Sequence, residues 1–115
     1  MYIFLDDERN PGDVTWTKIP YSIYTIVRTY EDFVRLIESL DSPPTHISFD
    51  HDLGYGHGVP DHSVKNGNDC AQFYIEHAFN KGWHGVTFTV HSMNPVGRDK
   101  IHRTLNDLER MRNGS

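Results

Sequence analysis

Ile47-Ser48-Phe49-Asp50-His51-Asp52 is a short apolar run that ends in two carboxylates and an imidazole. Residues 47–49 read as a buried strand, and a carboxylate at the tip of such a strand is costly to bury unless something positive meets it. The pattern recurs on either side. Residues 2–5 run into Asp6-Asp7-Glu8-Arg9, and residues 86–90 run into His91-Ser92-Met93-Asn94. Ligands of open parallel sheets bind in the crevice beyond the carboxyl ends of the strands. If the three strands are parallel neighbours, one pocket receives up to four carboxylates, two imidazoles and a hydroxyl. That set of groups suits metal-assisted phosphate chemistry.

The stretches between these strands read as helices and turns. Residues 23–27 are rich in β-branched and aromatic side chains and read as a further strand. Thr29 followed by Asp32 marks a helix start with an acidic first turn, and Phe33, Leu36, Ile37 and Leu40 then repeat with helical spacing. Ser42-Pro43-Pro44 stops that helix. A second helix begins near Asn68 or Asp69, carries Ala71, Tyr74, Ile75 and Ala78 on one face, and ends by Lys81-Gly82. Asn94-Pro95 reads as a cap with proline at the first helical position, opening a last helix with Ile101, Leu105 and Leu108 inward. The order of elements predicts an α/β fold with a mostly parallel sheet of about four strands flanked by helices. Thr87 and Thr89 suggest that the fourth strand is an edge or faces water on one side. The turn-rich Asn10-Pro11-Gly12-Asp13 leads to a stretch holding Trp16 whose structure the pattern leaves open. Residues 54–67 show no periodicity, and their place after the Asp-His-Asp cluster suggests a lid.

Composition narrows the functional classes. At 115 residues the length fits one domain spanning 1–115, with a real core. No apolar run approaches the ~18 residues that span a membrane. The chain enters a strand at once with no basic, apolar, cleavable leader, and its lone Cys70 excludes an internal disulfide; both fit the cytoplasm. A formal charge of −5 disfavours a protein that grips long nucleic acid through its phosphates, but not one that recognises a nucleotide or a strand end. Basic residues collect late, at Arg98, Lys100, Arg103, Arg110 and Arg112, and read mainly as a solvated helix face.

Each cluster supports definite roles. Paired carboxylates at Asp6 and Asp7, with Asp50 and Asp52, suit a hard divalent cation such as Mg²⁺ or Mn²⁺. Asp50 is alternatively a nucleophile, and Asp52 alternatively orients His51 or completes a turn with Leu53-Gly54. Histidines ionise near neutral pH, which makes His51 and His91 the candidate proton-transfer groups. Ser92, Asn94 and the amides at the last helix start can hold phosphate oxygens, with Arg9 and Arg98 as clamps. Asp69 either reaches the pocket or favours its helix dipole. His57 and His62 lie in the long loop without a zinc-type spacing. His46, His77, His84 and His102 read as surface or packing residues, and Cys70 as packing.

An acidic pair after strand one, an aspartate after strand three and a hydroxyl after strand four resemble response-regulator receiver domains, whose acidic groups hold Mg²⁺ and whose aspartate accepts a phosphoryl group. The chain departs from them in lacking a fifth strand ending in lysine and in carrying His51 and His91. It more closely resembles the cyclic-phosphate processing receiver-like family. The matching stretches are Leu5-Asp6-Asp7-Glu8-Arg9-Asn10-Pro11, Ser48-Phe49-Asp50-His51-Asp52-Leu53-Gly54, Gly67-Asn68-Asp69-Cys70-Ala71 and Val90-His91-Ser92-Met93-Asn94-Pro95-Val96-Gly97. The resemblance implies a receiver-like (flavodoxin-like) sheet without the last strand and a role on cyclic phosphate ends of RNA or nucleotides. The expected activity is metal-assisted hydrolysis of a 2′,3′-cyclic phosphate. The alternatives are a non-catalytic phosphoacceptor, a cyclic-nucleotide-binding module, or a metal-dependent phosphatase or nuclease of different substrate choice.

Overall fold

Among the described residues, four strands of four residues each build the sheet: β1 (Tyr2–Leu5), β2 (Tyr24–Val27), β3 (His46–Phe49) and β4 (Thr87–Val90). The helices are α1 (Tyr30–Ser39), α2 (Gly67–Lys81) and α3 (Pro95–Asn113), with a 3₁₀ turn at Pro11–Asp13. The computed structural model describes residues 1–53 and 65–113. The proposed lid, with His57 and His62, lies outside the described residues. All pairings are parallel and the strand order is β2-β1-β3-β4, which makes β4 an edge, as its threonines suggest. Among the described residues no helix is long and apolar enough to cross a membrane.

Local chemistry explains where the helices start and stop. The Thr29 hydroxyl accepts the Asp32 N–H and caps α1. Asn66 and Asp69 close a capping box that starts α2 one residue earlier than the periodicity predicts. Gly82, at φ 68°, ends α2 in the left-handed conformation that a side chain would disfavour.

The sheet has two unlike faces. On the first, Ile3 and Leu5, Val27, Ile47 and Phe49, and Val90 join Phe33 and Ile37 of α1, Tyr74 and Ala78 of α2, and Ile101 and Leu105 of α3 in one apolar core. The crossovers β2-α1-β3 and β3-α2-β4 run in the same direction across the sheet, so right-handed connections place both helices on this face. The β1–β2 connection runs the opposite way and belongs to the second face, where it is built from a 3₁₀ turn and irregular chain rather than a long helix. That face is more polar. Phe4, Ser48 and His46 are buried there, with Thr89 partly covered and Thr87 exposed.

Candidate functional site

Register creates the site. Leu5 is partnered with Phe49, and Phe49 with Val90, so the next residue of each strand falls in one row. Those residues are Asp6, Asp50 and His91. Backbone pairing continues one step past the strand ends to hold them: the Asp50 N–H donates to Leu5 O and the His91 N–H to Phe49 O, both at 2.9 Å. Side chains alternate along a strand, so all three follow a core-facing residue and share the other side. One ligand atom from each lies within 4.8 Å of the others, and all three residues are buried.

The two carboxylates are in different electrostatic states. Burial alone would raise the Asp6 pKa, but the hydrogen bond from His91 and those from the Arg9 and Glu8 backbone N–H groups outweigh it and hold Asp6 below its ordinary value. Asp50 has weaker help. Burial, then the Asp6 charge and more weakly that of Asp7, push it up to about 7, against a smaller opposing pull from the His51 backbone N–H and Arg9. A cation between these carboxylates would cancel that penalty. The donors fit one: two carboxylate oxygens suit a hard cation such as Mg²⁺ or Mn²⁺.

His91 is wholly buried, and both its ring nitrogens are engaged. Nε2 lies 3.1 Å from Asp6 Oδ2, and Nδ1 lies 2.7 Å from the Ser48 hydroxyl. Its ring stacks on Phe4 at 4.4 Å between centroids. The Thr89 hydroxyl donates to Ser48 at 2.7 Å, and His46 Nε2 lies 3.0 Å from Thr89. A row of hydrogen bonds therefore crosses the second face from His46 to Asp6. With the Ser48 proton on His91 Nδ1, the neutral ring donates Nε2–H to Asp6; a doubly protonated ring donates to both, Ser48 then accepting from Nδ1–H as well as from Thr89. His46 is a packed, hydrogen-bonded residue, and its burial lowers its pKa.

His51 stands one residue beyond the row. Its Nδ1 lies 2.7 Å from Asp52 Oδ1. Asp52 is thus placed on His51 rather than in the carboxylate group. Two glycines bring helix starts against this segment. A side chain at Gly67 would strike the Asp50 carbonyl, and one at Gly97 would strike the His51 ring. The Gly67 N–H donates to His51 O at 2.6 Å. His51 is therefore seated against the first turn of α3.

The other expected site residues are distributed around this centre. Asp7 is half-buried beside Asp6. Ser92 is buried, and its hydroxyl accepts the Asn94 N–H; Asn94 Oδ1 in turn accepts the Gly97 N–H and so caps α3. Arg9 lies 3.9 Å from Asp6 Oδ2, whereas Arg98 is exposed on the first turn of α3. Asp69 is occupied elsewhere, its carboxylate accepting the Asn66 N–H at the start of α2. Cys70 is buried, and that burial raises its thiol pKa far from nucleophilic range.

Four contributors escape the sequence reading. Ser48 and Thr89 orient His91. Arg28 donates to the carbonyls of Asp6 and Arg9 and to Asn10 Oδ1, fixing the chain after β1. Trp16 Nε1–H donates to His91 O at 2.8 Å and ties the β1–β2 connection to the end of β4. The alternation of polar residues in β3 and β4 is a usable signal for Ser48 and Thr89; nothing local marks Arg28 or Trp16.

No curated protein and no solved structure matches the chain. The sequence model for the cyclic-phosphate processing receiver domain matches residues 1–107. That span holds every strand, the row Asp6-Asp50-His91 and the start of α3, and the chain belongs to the cyclic-phosphate processing receiver domain family.

Proposed function

We propose that this chain hydrolyses a 2′,3′-cyclic phosphate on a nucleotide or RNA end, assisted by a divalent cation, Mg²⁺ or Mn²⁺, held by Asp6 and Asp50. The observation that carries this reading is the buried row Asp6-Asp50-His91, in which Asp50 ionises at a cost that a cation would remove. When bound, the cation would supply Lewis-acid stabilisation of charge building on the phosphoryl oxygens.

The residues divide the remaining work. With Nδ1–H donated to Asp52, His51 keeps the Nε2 lone pair and takes a proton from water as that water's oxygen attacks phosphorus. One ring P–O bond breaks, and the released ribose oxygen takes a proton from Nε2 of His91 in its imidazolium form, whose Nδ1–H turns to Ser48, so the ring is left as neutral imidazole. The product is a phosphomonoester. Ser92 accepts the Asn94 backbone N–H but retains its own proton to donate, and with the side-chain Nδ2 of Asn94 it steadies a nonbridging oxygen. Arg9 and Arg98 add positive charge from the rim.

Replacing His51 and His91 singly by Ala tests the reading on a 2′,3′-cyclic nucleotide with Mg²⁺ or Mn²⁺. Each variant is expected to lose ~10²–10⁴-fold in kcat. Undiminished turnover in both removes them from the mechanism. One observation favours a second reading, binding without cleavage: His91 is wholly buried with both nitrogens engaged. Stoichiometric binding with the ligand recovered intact would select it, and labelling of Asp50 by acetyl phosphate would select the phosphoacceptor.

A further inference from the structure

Beyond the phosphate centre, the geometry points to a shelf for a nucleobase formed by Trp16, Arg9 and Met93, an inference that rests on the cyclic-phosphate reading above. Three segments distant in sequence converge here. Trp16 comes from the β1–β2 connection, Arg9 from the end of β1, and Met93 from the turn after β4. The Arg9 guanidinium lies 5.1 Å from the centre of the indole, and its Nη2 lies 3.7 Å from Met93 Sδ. The same guanidinium reaches to 3.9 Å from Asp6 Oδ2, so the group abuts the phosphate centre.

The composition of this group is unusual for a surface. Trp16 is 38% exposed and Met93 60% exposed, whereas the second tryptophan, Trp83, is buried in the core. A hydrogen bond to His91 O fixes the indole in place, so little ordering is left for a ligand to impose. An indole, a thioether and a guanidinium offer flat, polarisable surface, which suits the π-face of a base. A nucleoside 2′,3′-cyclic phosphate carries base and phosphate on one sugar ring, so a base shelf must adjoin the phosphate site, as this one does. The chain's charge of −5 disfavours affinity gained by tracking a long backbone. One stacked terminal base supplies affinity without it. Stacking requires only a π-face, so the shelf accepts purines and pyrimidines alike, and affinity should not grow with RNA length.

The test compares 2′,3′-cyclic AMP with the 2′,3′-cyclic phosphate of methyl riboside, which lacks the base. Both kcat/KM and Kd are measured for the wild type, W16A and W16F. The wild type should prefer the base-bearing compound, and W16A should lower that preference by roughly fivefold to 150-fold, the worth of one base–aromatic stack. The loss should fall in KM rather than kcat. W16F keeps a ring but loses the N–H donated to His91 O, and it should retain most of the preference. Equal handling of the two compounds by the wild type overturns the shelf, as does W16F losing as much preference as W16A, which would make Trp16 an anchor only. Failure of the hydrolytic reading looks different: neither compound is turned over, and the Kd ratio still judges the shelf. If neither compound binds, both readings fall.

Discussion

Replacing Asp50 by Asn should stabilise the metal-free protein, and by more as pH rises above ~4. The Asp50 carboxyl rises from 3.8 to about 7 on folding because it is buried beside Asp6. The folded state therefore binds the proton more tightly than the unfolded chain, and the stability tied to this group is complete below pH ~4 and lost as pH rises through about 7. Roughly a thousandfold in proton affinity corresponds to a loss of up to ~4 kcal/mol at full ionisation. Asn removes the charge at nearly constant shape, so D50N should unfold with a free energy ~4 kcal/mol above the wild type at pH 8 and only ~1.5 kcal/mol above it at pH 5, drawing level near pH ~4. Asp6 has the opposite sign: its lowered pKa contributes stability that is present above pH ~4 and lost as pH falls further. Working between pH 5 and 8 keeps that contribution constant. Urea unfolding with chelator across this range measures the difference. Adding Mg²⁺ or Mn²⁺ at pH 8 should then stabilise the wild type and leave D50N nearly unmoved. A constant difference between D50N and the wild type from pH 5 to 8 would refute the buried, carboxylate-crowded placement of Asp50.

Three other substitutions test neighbouring parts of the argument. G97A places a methyl against the His51 ring and should shift it off the α3 start, lowering kcat roughly 10²-fold on a cyclic phosphate; a nitrogen-15 shift confined to His51 would report the displacement. S48A strips His91 Nδ1 of its partner and should cost ~1–3 kcal/mol in urea unfolding. Its ring nitrogen shifts should also show loss of the single Nε2–H tautomer, which a purely steric role for Ser48 would leave intact. T29A removes the α1 cap and should cost ~1 kcal/mol without altering turnover, checked by thermal unfolding beside the activity assay.

What was legible in the sequence was whatever depends on neighbours in the chain. The apolar runs of β1, β3 and β4, the Phe33-Leu36-Ile37-Leu40 stripe of α1 and the Lys81-Gly82 end of α2 are local patterns, and all correspond to observed elements. The grouping of Asp6, Asp50 and His91 was legible one step further, because parallel neighbours with apolar runs of similar length end level. Other features depend on partners across the sheet. Ser48 reads as filler inside a strand until its register with Phe4 and Thr89 is known. His46 gives no sign of bridging Thr87 and Thr89, since either a surface or a packed residue would fit. The β1–β2 connection is the least legible part. It has no period to detect, and its position follows from strand order and crossover handedness, which lie outside any local window.

The same register argument explains why the chemistry gathers on the second face. Because the side-chain period is two, the residue after a core-facing strand end must turn away from the core. Leu5, Phe49 and Val90 point into the helices, so Asp6, Asp50 and His91 are committed to the side where, among the described residues, no α-helix packs. A long helix in the β1–β2 connection would have buried that side in apolar contacts and left the carboxylates without room for a ligand. A short 3₁₀ turn and irregular chain instead leave polar groups in the strands, which hold His91 from behind while Asp50 and Asp6 meet in front. The polar second face is thus the support that an acidic, imidazole-bearing strand edge requires, since a buried histidine facing an apolar layer would leave Nδ1 unpaired and its tautomer unfixed.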